Sequence, residues 1–93
     1  MLLAKKKLTA GDTRQYFVEY RDALREGDWL ITATVTTPAA DVTISGVAIL
    51  EGRKVTFFVA GGALNEDFTV TVVATSSTTE VNNDTINFHV IAP

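Results

Sequence analysis

Ninety-three residues are enough for one domain with a single core and too few for two. A hydrophobic content of 46% with a positive mean hydropathy excludes the disordered class, and the absence of cysteine excludes disulfides and thiolate chemistry while leaving the compartment open. Eight basic residues against eleven acidic ones, a formal charge of −3, argue against wrapping a nucleic-acid backbone, so no direct nucleic-acid partner is expected.

The chain opens with MLLAKKKLTAGD, where the lysine triplet Lys5, Lys6 and Lys7 follows a very short apolar run. That order is the reverse of a secretory signal peptide, so no export signal is read here. No apolar run anywhere approaches the roughly twenty residues of a membrane helix, and no membrane partner is expected. Residues 1–12 lack a period of either kind and are expected to form an N-terminal arm, with the domain proper over 13–93. The triplet reads as a solvated basic tail or as a contact for an acidic partner.

From Thr13 to Tyr20, residues Tyr16, Val18 and Tyr20 alternate with Phe17 and Glu19, the pattern of a half-buried strand at or near an edge. Arg21–Asp28, RDALREGD, favours helix but falls short of a stable one, so a single turn ended by Gly27 is expected. Trp29–Thr37 reads as a second strand stopped by Pro38, which has no N–H for the ladder. Trp29, Ile31, Ala33 and Val35 share one parity and Leu30 has the other, which a bulge can reconcile. Val42 and Ile44, then Gly46, then Val47–Leu50 predict two short strands split at the glycine, before a turn at Glu51-Gly52-Arg53.

The stretch on which the rest is expected to pack is Val55–Ser76. Val55, Phe57 and Val59 alternate, as do Phe68, Val70, Val72 and Ala74. Gly61 and Gly62 tolerate positive φ, and Asn65 is a further turn-former, so the two runs read as one long hairpin. The polar run STTEVNND follows, then a last strand over Thr85–Ile91 with Ile86, Phe88 and Val90 on one face. About seven short strands with almost no helix signal predict an all-β fold, an immunoglobulin-like antiparallel β-sandwich. Lacking the cysteine pair of antibody domains, its sheets must be joined by apolar packing.

The sequence offers little chemistry. His89 is the only histidine, cannot build a multi-histidine metal site, and has no nucleophile motif beside it; its parity places it on the outer face. Asp22, Glu26 and Asp28, and further on Asn82, Asn83 and Asp84, carry oxygen ligands that can hold calcium, but without the EF-hand loop they read as turn residues. Tyr16, Phe17, Tyr20 and Trp29 form either a carbohydrate or protein platform or core, and at least two are expected inside. Phe68 is expected to anchor the sheets. No catalytic, cofactor-binding or metal residue is assigned.

Two patterns resemble a family of small immunoglobulin-like phage and prophage structural proteins, the fibre-tail adaptors. The first is Tyr16-Phe17-Val18-Glu19-Tyr20, Leu24, Gly27-Asp28 and Leu30; the second is Val55–Gly62 ending in Gly-Gly, Phe68 six residues on, then Val70, Thr75 and Ser76, with Asp84, Thr85 and Val90 closing. The chain departs from that family in having Phe68 where tyrosine is usual, and Ser77-Thr78-Thr79-Glu80 in place of a Gly-Arg. The resemblance implies a non-enzymatic virion component of the tail or neck, assembled in the bacterial host cytoplasm. Its implied partners are other phage structural proteins, with oligomer formation on assembly. Tyr16, Tyr20, Gly27, Asp28, Gly61, Gly62 and Phe68 are assigned turn or core roles, and Lys5, Lys6, Lys7, Ser77, Thr78, Thr79 and Glu80 are candidate contacts. The alternative is a surface or carbohydrate-binding sandwich module, which Tyr16, Tyr20 or Trp29 exposed in a row would favour. A small hydrolase would need a convergent polar cluster that the sequence does not display.

Overall fold

The structure, a computed structural model, describes residues 2–20, 24 and 26–93. Seven strands follow one another: β1 Leu2–Thr9, β2 Thr13–Glu19, β3 Leu30–Thr36, β4 Val42–Leu50, β5 Lys54–Gly61, β6 Asp67–Ser76 and β7 Val81–Ile91. They form a four-stranded sheet in the order β1-β7-β6-β3 and a three-stranded sheet in the order β2-β5-β4. All pairings are antiparallel except β1 with β7. This is the immunoglobulin layout, with β2, β5 and β4 as one sheet and β3, β6 and β7 as the other, and the first strand laid alongside the last.

Alternation builds the core. Val55, Phe57 and Val59 from β5 face Phe68, Val70, Val72 and Ala74 from β6, with Ile86, Phe88 and Val90 beside them from β7. Aromatic rings join the two sheets where antibody domains use a disulfide. Phe68 stacks on Phe88 with centroids 5.1 Å apart, Phe88 meets Tyr16 edge-on at 5.0 Å, and Tyr16 lies 6.3 Å from Phe57.

Four expectations are corrected. The supposed hairpin over Val55–Ser76 is a corner, because β5 and β6 belong to different sheets. Gly61 and Gly62 adopt φ +95° and +88°, yet the chain leaves the sheet there instead of reversing. Gly62 N–H donates to the Asp41 carbonyl, and residues 65 and 66 bond to Val90 across the gap. The hairpins are β4–β5 and β6–β7. Secondly, the segment expected to be a free arm is β1. Its Leu8 is fully buried opposite Val90, but an edge strand needs few inward residues, and the exposed lysines hide the period. Thirdly, Val42–Leu50 is one strand with a bulge between Ser45 and Ala48, where Gly46 takes φ +60°. Lastly, Asn82, Asn83 and Asp84 lie within β7, whose start at Val81 shortens the polar loop to 77–80; Asp84 turns inward and is buried.

The bulge invoked for β3 is present between Leu30 and Thr32, letting Leu30 enter the core while Ala33 and Val35 follow on the same face. The turn expected over Arg21–Asp28 lies largely outside the described residues, as does Asp22.

Candidate interaction surfaces

The outer face of the three-stranded sheet exposes two phenylalanines and a leucine, Phe17, Phe58 and Leu50. Strand geometry forces the outcome: Phe57 and Phe58 are adjacent, so one must point out, and Phe17 between inward Tyr16 and Val18 must do the same. Phe17 sits opposite Thr56 on β5, Phe58 opposite Ser45 on β4 and Ala48 opposite Thr56. Phe17 is 61% exposed, Leu50 48% and Phe58 37%, while Thr56 beside them is buried. The bulge draws the β4 edge over Phe58, so that a Cβ on Gly46 would stand 2.9 Å from its ring. Lys54 Nζ lies 4.7 Å above the centre of the Phe17 ring and 4.0 Å from Glu19, giving the patch a charged rim.

At one end of the sandwich, Asp28 ties two loops together. Its carboxylate accepts from the Ser77 hydroxyl, from Thr78 Oγ1 at 2.9 Å and from the Trp29 amide at 2.9 Å, and Ser77 N–H donates to the Trp29 carbonyl at 2.7 Å. These donors, Ser77 first, hold the Asp28 carboxyl down to about 2. Gly27, at φ +76°, turns the chain into this position. Ser76 Oγ lies 3.1 Å from Thr78 Oγ1 and accepts from the Glu80 amide, which completes a tight turn with Thr79 at φ +67°. Ser77 and Thr78 are thus engaged with Asp28, and Thr79 and Glu80 form the exposed tip.

Tyr16 is half-buried and Tyr20 fully so, whereas Trp29 is exposed at the loop end and forms no row with them. The Tyr20 hydroxyl is buried without a partner at hydrogen-bond geometry, and burial, followed by the nearby Asp84 carboxyl, pushes it up from the usual phenol range.

The outer face of the four-stranded sheet is polar. Thr32, Thr34 and Thr36 on β3 lie beside Thr75, Val73 and Thr71 on β6, and Thr71 pairs on with Thr85 on β7. Towards the other end, Lys5 and Lys7 on β1 stand opposite Asn87 and His89, and His89 opposite Asp67. Among the described residues, no group of three or more His, Cys, Asp or Glu side chains is placed to hold a metal ion. The fold thus brings Asp28 to Ser77 and Thr78, about fifty residues away in the chain, and separates the lysines from both. Phe58, Val47 and Leu50 were missed as surface residues, although the Phe57-Phe58 doublet carried the signal.

A family model described as Podophage GP4 fiber-tail adaptor protein gp77 matches residues 9–89. No curated protein matches the chain. Among solved structures, a 2,6-sialyltransferase of Vibrionaceae Photobacterium sp. JT-ISH-224 resembles it with a TM-score of 0.58 at 9% identity, over 100% of this chain and 18% of that one. The chain therefore spans less than a fifth of that enzyme, and the likeness is one of fold alone.

Proposed function

The chain belongs to the podophage GP4 fiber-tail adaptor gp77 family, and on that premise we propose that it is a non-enzymatic virion component that docks on other phage structural proteins through the outer face of its three-stranded sheet. The observation that carries the proposal is the exposure of Phe17, Phe58 and Leu50 on one sheet face in a family named for joining fibre to tail. A solvated sheet face ordinarily alternates to polar residues, and contiguous exposed apolar area marks a contact surface.

Magnitude supports a role within a larger assembly. Taking about 200 Å² for a phenylalanine side chain, the two rings together leave roughly 200 Å² in water. Covering that area contributes on the order of 5 kcal/mol before association costs are set against it. It is well short of the ~800 Å² per partner of a stable binary interface, so the face contributes one contact among several, and the protein assembles on a scaffold within the host cytoplasm. With Tyr16 half-buried and Tyr20 buried, Trp29 has no aromatic row, which weighs against a carbohydrate-binding module.

Complementation tests this. Phages lacking the gene are supplied with wild-type protein or with the Phe17→Ser, Phe58→Ser double variant, and purified particles are assayed for the protein by mass spectrometry. The variant is expected to fold, judged by its circular dichroism and melting, and to be depleted from particles. Incorporation of folded variant at the wild-type level would overturn the proposal.

A further inference from the structure

On the outer face of the four-stranded sheet, away from the apolar patch, lies an open cavity of about 330 Å³ lined by Lys5, Asp67, Thr69, Asn87 and His89 and by residues 6, 68 and 88 between them. Register explains the set. Lys5 pairs with Asn87 and Asn87 with Thr69, making one row across three strands; Lys7 pairs with His89 and His89 with Asp67, making the next. Alternation turns Phe68 and Phe88 into the core, so backbone floors the cavity and polar side chains wall it.

Three features give the cavity its chemistry. Asp67 Oδ1 lies 2.7 Å from His89 Nδ1; a carboxylate only accepts, so Nδ1 carries the proton and the ring is held with Nε2 directed away from Asp67. Lys5, Lys6 and Lys7 form no ion pair among the described residues, whereas Arg14 is paired with Asp12 and Lys54 with Glu19. In a chain of net charge −3, this is a local excess of positive charge. Lysines on an edge strand also discourage edge pairing, but edge protection does not require an amide, a hydroxyl and an imidazole in the adjoining rows.

We propose that Lys5, Asn87 and His89 form a carboxylate-binding site that receives an aspartate or glutamate side chain of a partner protein. The cavity is shallow and at the lower limit of small-molecule sites, which suits one side-chain tip presented by a docked segment. The ammonium of Lys5 and the amide of Asn87 donate to the carboxylate. Nε2 of His89, left free by the contact of Nδ1 with Asp67, is the ring atom that faces the ligand. The charged groups facing the ring are Lys7 from β1 and Asp67 from β6, with Lys5 one row away. Only the source of the carboxylate rests on the adaptor reading.

His89 is the only histidine, so its imidazole resonances report the site without assignment ambiguity. The isolated protein is titrated with a capped glutamate-containing pentapeptide, with inorganic phosphate and with galacturonate. Expected are a saturable His89 shift with the peptide and weakening with added salt. Lys5→Gln should weaken the peptide at least tenfold, while Arg14→Gln on the other sheet leaves it unchanged. Absence of a saturable shift, or equal effects of the two variants, would overturn the site. Tighter binding of phosphate or galacturonate than of peptide would overturn the assignment to a protein side chain. Particle incorporation does not enter this test, so its outcome is separate from that of the docking face.

Discussion

Replacing Phe88 by alanine tests whether the aromatic stack carries the union of the two sheets. Phe88 is 2% exposed, lies parallel to Phe68 within 5° at 5.1 Å, and meets Tyr16 of the opposite sheet at 78° and 5.0 Å. Truncating a buried phenylalanine costs about 3 to 5 kcal/mol. Within that sum, each aromatic contact contributes roughly 0.5 to 1.5 kcal/mol beyond area burial. Against the ~5 to 15 kcal/mol of a typical domain, the variant is left marginal. With a urea dependence of ~2 kcal/mol per molar, a 4 kcal/mol loss moves the unfolding midpoint down by about 2 M. Phe17→Ala, on the exposed face, should stay within about 0.5 kcal/mol of wild type. A cycle with Phe68→Ala isolates the stack and should give a coupling of about 0.5 to 1.5 kcal/mol. A loss at Phe88 below about 1.5 kcal/mol, or one equal to that at Phe17, would refute the account of the core.

Gly61 and Gly11 both have positive φ, but a Cβ on Gly61 would run into the Asp41 carbonyl, whereas one on Gly11 meets nothing within 4 Å. Gly61→Ala is therefore expected to cost about 2 kcal/mol or more and Gly11→Ala about 1 kcal/mol, and equal losses by denaturant titration would show that the corner does not depend on that approach. Asp28 has a folded pKa of about 2 against an ordinary 3.8. Because the folded value is depressed, its contribution is complete above about pH 3.8 and lost as pH falls through about 2. Asp28→Asn should flatten the stability profile across that window and leave its slope at neutral pH unchanged; an unaltered acid limb would mean that the clasp with Ser77 and Thr78 does not form in solution.

Much of the sandwich is legible in the sequence because period-two alternation is a local property. Phe68, Val70, Val72 and Ala74 bury the predicted face, and Leu30 against Ala33 and Val35 foretells the β3 bulge. Which sheet a strand joins is not local. A Gly-Gly pair permits a hairpin or a corner equally, and the Asp41 carbonyl that decides between them is 20 residues away in the chain. The β1 strand is hard to read from sequence because Leu8, which is fully buried, stands beside three lysines. The candidate surface was legible in part. Adjacent Phe57 and Phe58 cannot both be inward, but that Leu50 shares the face of Phe58 depends on the β4 register. Asp28 meeting Ser77 likewise depends on a pairing 49 residues apart.

The central claim, docking through the outer face of the three-stranded sheet, is tested most directly by photo-crosslinking in assembled particles, with a benzophenone amino acid placed at Phe17 and, separately, at Thr34 on the outer face of the other sheet. The account predicts a crosslink from position 17 to another virion protein and none from position 34. Particles that contain the labelled protein yet yield a crosslink only from position 34, or none from position 17, would contradict it.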